Sequence, residues 1–237
     1  MNEADTCRQY ILPKLKAAGW DEDYVVEQLV LTPGRIVPLG GGHARKEGLR
    51  PDYVLFIRRN IPIAVVEAKA DYRQAGDGLQ QAITYAEMMG LRFAYASNGK
   101  GIIEHDFITG KERAIEAFPS QEELWGRLQG TLQLPTEQDA TDALTGYFEE
   151  IGGKTPRYYQ QVAVNRAVNA VIGGQDRILL TMATGTGKTF IAFQIAWKLF
   201  HSRWNLSREP TRPPTHPVPG RPQHPGRSGV QQILCFP

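Results

Sequence analysis

The sequence predicts an α/β chain, and three observations carry that reading. Apolar, β-branched runs recur at residues 24–31, 53–57 and 61–70. Between and after them, apolar positions recur at helical spacing. Proline crowds the end of the chain: eight of the sixteen prolines fall beyond residue 200. With 237 residues and 41% hydrophobic content, the chain can bury a core and suggests one or two domains.

Taken in order, residues 3–18 predict a helix with Tyr10, Ile11, Leu12 and Leu15 near one face and Gly19 as its stop. Pro13 predicts a kink or a late start there. The run 24–31 predicts a strand, and 32–50 a Gly/Pro-rich loop carrying Arg35, Arg45, Lys46 and Arg50. Residues 53–57 and 61–70 predict a hairpin around Arg58, Arg59 and Asn60. Residues 78–90 suit a helix ending at Gly90. Strands at 93–97 and 101–107 form a second hairpin, with Asn98-Gly99 suited to a type I′ turn. A helix follows Ser120 as its N-cap, and a polar connection places a domain boundary around 135–153. Beyond Pro156 an amphipathic helix closes at Gly173-Gly174. Residues 177–182 predict a buried strand, 183–187 a Gly-rich loop, and 188–200 an apolar helix. From 201 onward the chain reads as unfolded.

Charge excludes several classes. There are 27 Lys+Arg against 25 Asp+Glu, a net charge of +2, which argues against a polybasic arm and against wholesale disorder. No run reaches the roughly 18 apolar residues of a membrane span. The first residues lack the basic and apolar regions of a secretory signal. Cys7 and Cys235 are too few for a disulfide framework or a zinc site. The expected setting is a reducing, bacterial-type cytoplasm.

The first constellation lies in the 53–70 hairpin. With its turn centred on Arg59-Asn60, residue n pairs with residue 119−n, and Asp52 lies opposite Glu67. Paired residues on antiparallel strands share a face, and Lys69, two residues on, shares it too. Two carboxylates held that close repel unless a hard divalent cation joins them, and Mg²⁺ takes carboxylate oxygens while keeping several waters. A neighbouring Lys can orient water and offset phosphate charge, which is the chemistry of metal-assisted phosphodiester hydrolysis. The same residues also suit a solvated strand end that merely pairs charges. The apolar run before Glu67 and the polar pair Gln81 and Tyr85, one helical turn apart, favour the site.

Pro51-Asp52, Glu67-Ala68-Lys69 and Gln81-x-x-x-Tyr85 together resemble the PD-(D/E)xK nuclease pattern with the QxxxY helix of RecB-like nucleases. More narrowly, GLRPDYVLF, AVVEAKA, QQAITYAEMMG and FAYASNGKGIIEHDFITG resemble the N-terminal domain of the R subunit of type I restriction–modification enzymes. The resemblance covers residues 3 to about 200. It implies a nuclease domain over 1–135 built on a mixed sheet flanked by helices, and a linker over 136–153. By it Asp52 and Glu67 would hold Mg²⁺, Lys69 would be the catalytic lysine, and Gln81 and Tyr85 would support the site or contact DNA. Glu3 matches an early acidic position of the family. The implied partners are double-stranded DNA and the modification and specificity subunits, with no membrane.

The second constellation is MATGTGKT at 182–189, between an apolar strand and an apolar helix, as a phosphate loop requires. Gly185 and Gly187 let backbone N–H groups of the loop, with Ala183, Thr184 and Thr186, approach the phosphates of ATP. Lys188 would reach the β/γ-phosphates and Thr189 would offer its hydroxyl to Mg²⁺. Met182 stands where the strict motif has its first glycine, a departure that resembles superfamily 2 helicases. Upstream, Arg157-Tyr158-Tyr159-Gln160 resembles their Q motif, in which Gln160 would bind adenine. The segment 154–200 thus reads as the first part of a RecA-like P-loop domain, incomplete here. Contacts to DNA are expected at phosphates, through Arg35, Arg45, Lys46 and Arg50, or else those four lie on an ordinary solvated loop.

Two other classes stay open on sequence alone: a catalytically idle DNA-binding or assembly module, and a P-loop ATPase whose N-terminal region only packs. The tail, 201–237, is expected to be disordered and, from about 213, the product of a reading-frame slip. Codons can be chosen for 215–230 whose frame shifted by one base reads as an apolar strand and a further translocase motif.

After Lys188 the only acid is Glu209, so no Walker-B carboxylate is available to the phosphate loop. This polypeptide is therefore expected to hydrolyse no ATP and to bind nucleotide weakly. A steady-state ATPase assay on the chain and on Lys188→Ala checks it: turnover that disappears in the variant would contradict the expectation.

Overall fold

The structure is a computed structural model and describes residues 2–31, 36–39, 42–45, 48–132, 134, 136–150, 153, 155–175, 177–204 and 232–235. The chain divides into two compact units, Met1–Leu128 and Gln129–Pro237.

The first unit opens with α1 (Glu3–Thr6), a π-helical turn (Cys7–Ile11) and α2 (Leu12–Ala17). Asn2 caps α1 by accepting from the Asp5 N–H at 2.8 Å. Pro13 neither breaks nor delays the helix. It has no N–H and its ring crowds the carbonyl one turn back, and the preceding turn widens to the π form around it. Ile11 and Leu15 are fully buried, and Gly19 leaves the helix at φ +88°.

A six-stranded sheet follows, in the order β1 (Val25–Glu27), β4 (Tyr53–Arg58), β5 (Ile61–Ala68), β6 (Phe93–Ser97), β7 (Ile102–Asp106), β8 (Lys111–Ile115). Neighbours run antiparallel except β5 and β6, which are parallel because α3 (Leu79–Met89) carries the chain back between them. Val54, Val65, Val66, Phe93, Ala94 and Ala96 have no exposed surface, so the central strands read as unbroken apolar runs. Gly90 ends α3 in the left-handed conformation.

The expected hairpin register holds at Tyr53↔Val66, Val54↔Val65 and Leu55↔Ala64, then slips at Phe56↔Pro62. Pro62 has no N–H to give the ladder at that point. The turn is at Arg59-Asn60, with Asn60 at φ +64°.

Several expectations need correction. The strand read over 24–31 is only Val25–Glu27, because Gln28 turns the chain at φ +50°. The loop read over 32–50 contains an antiparallel pair, β2 (Ile36–Leu39) with β3 (Gly42–Arg45); Arg35, Lys46 and the side chain of Arg45 lie outside the described residues, and Arg50 is exposed. Asn98-Gly99 does not form a type I′ turn. Only Gly99 takes positive φ, and Asn98 Oδ1 instead accepts from the N–H groups of Lys100 and Gly101 at 3.0 and 2.9 Å. Strand β8 has no apolar alternation to announce it; it is a charged edge strand.

In the second unit α5 (Glu137–Ala143) lies inside the stretch expected as a linker, started by a capping box between Thr136 and Asp139. Then come α6 (Tyr158–Ile172), β9 (Ile178–Thr181) and α7 (Lys188–His201). Strand β9 is not buried as expected: Leu179 is 50% exposed, since a single neighbouring strand cannot cover both faces.

The expectation of a wholly unstructured tail is also overturned. Gln232–Cys235 form β10, parallel to β9 in the register Gln232↔Ile178 to Cys235↔Thr181. No proline lies between Gly226 and Phe236, so every N–H there is available to a ladder. An ordered strand beside β9 is the outcome that the frame-slip reading excludes, and that reading is set aside; residues 215–230 lie outside the described residues.

Helix α4 (Gln121–Gln129), capped by Ser120 at the Glu123 N–H, is pinned to the sheet by Arg127. The carboxylate of Glu104, fully buried, accepts from Tyr95 Oη at 2.7 Å, Arg113 Nε at 2.8 Å, and Arg127 Nη1 and Nη2 at 2.9 and 3.1 Å. Arg127 also reaches Asp106 at 2.9 Å and lies over the Phe93 ring. Removing the guanidinium leaves a buried charge with half its partners. Arg127→Ala is expected to cost about 3 kcal/mol in urea unfolding, whereas loss of a plain surface pair would cost under about 1 kcal/mol.

Candidate active site

The acidic pair stands where the apolar part of β5 ends. Glu67 is 3% exposed, on a strand whose preceding residues Ile63, Ala64, Val65 and Val66 are all buried. Asp52 immediately precedes β4, and continuing the Tyr53↔Val66 register by one residue sets it opposite Glu67. One oxygen of Asp52, Oδ2, accepts from the Ala68 N–H at 2.7 Å, and the other, Oδ1, from Gln28 Nε2 at 2.7 Å. The turn at Gln28 that shortens β1 also lets its N–H donate to the Asp52 carbonyl at 3.0 Å. Sequence reasoning missed Gln28, which belongs to no motif.

Lys69 follows where β5 has ended, and its N–H donates to the Ser97 carbonyl at 2.9 Å, which keeps it aligned with β6. Its ammonium lies 3.2 Å from Glu67 Oε1, 3.2 Å from Gln81 Oε1 and 3.5 Å from Glu3 Oε1. Gln81 in turn donates through Nε2 to Tyr85 Oη at 2.9 Å. One turn of α3 thus joins Gln81 and Tyr85 and delivers an amide oxygen to the lysine. Gly78 makes this approach possible: a Cβ there would stand 3.1 Å from both Glu67 Cγ and Lys69 Cε. Its place just before α3 is the only sequence signal it carries.

The electrostatics follow from burial. Loss of water pushes the Glu67 carboxyl up to about 7, and the charge of Asp52 pushes the same way, outweighing Lys69. Burial also raises Asp52, against its hydrogen bond from Ala68 and the charge of Lys69. Burial alone would lower Lys69, but Glu67, Glu3 and Asp52 outweigh it and its ammonium is held above the ordinary range. Cys7, half-buried nearby, is pushed up to about 12 by burial and by Asp52.

A hard divalent cation fits this donor set. Glu67 Oε2 is buried and has no hydrogen-bond partner among the described residues, and the charge of Asp52 raises the cost of ionising Glu67. Among the described residues no group of three or more His, Cys, Asp or Glu is placed to hold a metal. A cation here would take two carboxylates and keep several waters.

The phosphate-loop residues are brought together in the second unit, between β9 and α7. Gly185 and Gly187 take φ +78° and +88°, conformations that open the loop around its own N–H groups. Thr186 Oγ1 donates to the Ala183 carbonyl at 2.7 Å, while Ala183, Thr184 and Gly185 are exposed. Lys188 and Thr189, both exposed, begin α7. Gln160 Oε1 accepts from the Arg157 N–H at 3.0 Å and Nε2 donates to the Thr186 carbonyl at 2.9 Å. A Cβ on Gly187 would meet Gln160 Nε2 at 2.5 Å. Gln160 therefore braces the loop, a contact the motif alone did not suggest.

A mixed six-stranded sheet with an acid–acid–lysine cluster at the end of its central strand defines the class: a mixed α/β chain. Residues 24–113 match the family model described as the type I restriction enzyme R protein N terminus, and 153–207 that described as the type III restriction enzyme res subunit. The chain is 38% identical to the type I restriction enzyme EcoAI endonuclease subunit of Escherichia coli over 86% of its own length and 26% of that protein's. It is 27% identical to the EcoKI endonuclease subunit of strain K12, over 70% of its length and 18% of that protein's. A structure described as a fragment of an HsdR subunit from Vibrio vulnificus YJ016 superposes with a TM-score of 0.79 at 48% identity, over 86% of this chain and 39% of that one. The chain belongs to the R-subunit family of type I restriction enzymes, of whose curated members it spans about a quarter or less. No helix among the described residues is long and apolar enough to cross a membrane.

The raised carboxyl has a consequence for stability. A carboxyl whose folded pKa exceeds its unfolded value gains protons on folding, so its stabilising contribution is full below the unfolded pKa and is lost as pH rises through the folded one. For Glu67 the window runs from 4.5 to about 7. In chelator, unfolding free energy is expected to fall on the order of 3 kcal/mol across it, and Glu67→Gln to flatten most of that slope. Urea unfolding from pH 4.5 to 8 measures both; an equal slope in the variant would rule the assignment out.

Proposed function

We propose that the first unit is a Mg²⁺-dependent nuclease domain of the PD-(D/E)xK kind that cleaves phosphodiesters of double-stranded DNA. The observation that carries this is the buried, unsatisfied Glu67 oxygen beside Asp52, with the Lys69 ammonium on the same carboxylate. Asp52 and Glu67 would hold Mg²⁺; when bound, the ion supplies Lewis-acid polarisation of the phosphate and a more acidic water. Asp52 is oriented for this by the Ala68 N–H and Gln28, which together fix both of its oxygens. Lys69, held protonated by the surrounding acids, orients the attacking water and offsets charge gathering on the phosphate. Gln81 and Tyr85 act through it: the amide oxygen fixes where the ammonium points, and the tyrosine hydroxyl fixes the amide.

The second unit is the opening of an ATP-binding translocase domain. Its loop of Ala183, Thr184, Gly185, Thr186 and Gly187, exposed over its first three residues, offers N–H groups to phosphates, Lys188 adds a charge, and Thr189 offers a hydroxyl to Mg²⁺. In this reading the working assembly includes modification and specificity subunits, which choose the DNA site, so this chain contacts backbone and not base sequence.

Plasmid nicking in Mg²⁺, by the chain alone and assembled with modification and specificity subunits, tests the nuclease. Lys69→Ala is expected to lower the rate by about a hundredfold or more, with the thermal midpoint little changed. Chelation should stop nicking in the parent. Undiminished Mg²⁺-dependent nicking by Lys69→Ala would remove the assignment.

A further inference from the structure

Two loops meet where Lys69 leaves the sheet, and one of them carries an aromatic side chain that the site just described does not use. Tyr72, three residues beyond Lys69, is 75% exposed, more than any other large apolar side chain found exposed among the described residues. Arg73 and Gln74 beside it are exposed as well.

The loop that presents Tyr72 is not slack. Its turn closes through the Arg73 N–H to the Ala70 carbonyl at 2.9 Å, and a capping box between Gln74 and Asp77 fixes its far end. From the 98–101 loop, Asn98 Nδ2 donates to the Arg73 carbonyl at 2.7 Å and Lys100 Nζ to the Asp71 carbonyl at 3.0 Å. Lys14 Nζ holds that second loop in turn, through the Gly99 carbonyl at 2.7 Å. At Gly99 a Cβ would stand 2.8 Å from Tyr10, so the 98–101 loop is seated directly on the π-helical turn Cys7–Ile11. Burying Tyr72 against the sheet would be the ordinary use of such a side chain. Here four tethers fix the backbone that carries it, with Arg73 exposed beside it and the exposed Lys100 on the neighbouring loop, 3.5 Å from the Asp71 carboxylate.

Resting on the nuclease reading, we infer that loop 71–74 with Lys100 is a clamp for duplex DNA next to the scissile phosphate. Tyr72 is the wedge that lies against sugar or base faces, Arg73 takes a flanking phosphate, and Lys100 adds its charge beside it while it tethers Asp71. Phosphate contacts from cations are independent of base sequence, and so is contact with an aromatic ring, because every nucleotide offers it a face. A loop whose backbone is fixed before binding loses little freedom on contact, which favours affinity. The clamp thus fits a nuclease whose site selection belongs to other subunits.

Fluorescence anisotropy with the full chain and a 30-base-pair duplex, in Ca²⁺ to suppress cleavage, tests this. Tyr72→Ala is expected to weaken binding about tenfold, equally on duplexes of unrelated sequence, while Tyr72→Trp stays within about twofold of the parent. Arg73→Ala should reduce the slope of log affinity against log salt by about 1. Parent-like affinity in Tyr72→Ala, or no measurable duplex binding by the unaltered chain, overturns the clamp. Nicking by Lys69→Ala and duplex affinity of Tyr72→Ala keep the two readings apart. If Lys69→Ala cannot nick and Tyr72→Ala binds normally, the clamp alone is wrong. If Lys69→Ala nicks normally and Tyr72→Ala binds poorly, the nuclease centre is wrong and the clamp stands.

Discussion

The hydrogen bond from the Ala68 N–H to Asp52 Oδ2 holds together most of what matters in the first unit. It closes the open end of the β4–β5 pair at the point where two carboxylates must tolerate each other. Neither acid would choose that position alone, since burial raises the cost of ionising both. The fully buried strands on either side prevent the pair from relaxing apart. Lys69, bonded through its own N–H to Ser97, then places a cation on the same carboxylate. The cluster costs stability in the core to hold three ionisable side chains together.

The second unit uses buried polar groups differently. Gln194 of α7 accepts from the Phe148 N–H and donates to the Phe148 carbonyl, both at 3.0 Å, and has no exposed surface. One turn further on, Lys198 is fully buried over the Tyr147 ring, and burial lowers its ammonium to about 7. These side chains strap 147–148 to the helix that begins at the phosphate loop, while Gln160 braces the loop itself from α6. A loop with two glycines at positive φ takes its order from such support, because its glycines supply none.

Local rules read well wherever one local cause dominates. Gly90 after the 79–89 helix, Ser120 before α4 and the turn at Arg59-Asn60 each follow from the preferences of a few residues. Rules that need a neighbour failed. Asn98-Gly99 was expected to make the tightest turn, but Asn98 satisfied backbone N–H groups and the Arg73 carbonyl instead. The prolines of 201–237 suggested a tail with no ladder, yet the proline-free 232–235 found β9. Strand β8, charged and exposed, could be recognised only by its pairing with β7.

By itself the sequence determined the residue types of both clusters, the alternation of strands and helices that carries them, and the hairpin register that sets Asp52 opposite Glu67. Those depend on side-chain period and turn position, which are properties of a short stretch of chain. Tertiary structure alone decided the contacts around the acids: Gln28 on Asp52, the reach of Glu3 and Gln81 to the Lys69 ammonium, and the bare face of Gly78 against both Glu67 and Lys69. These contacts join segments remote in sequence, so their geometry exists only after the parallel crossover through α3 has packed against the sheet. Burial is set by the same packing, and burial is what moved Glu67 so far from an ordinary carboxylate.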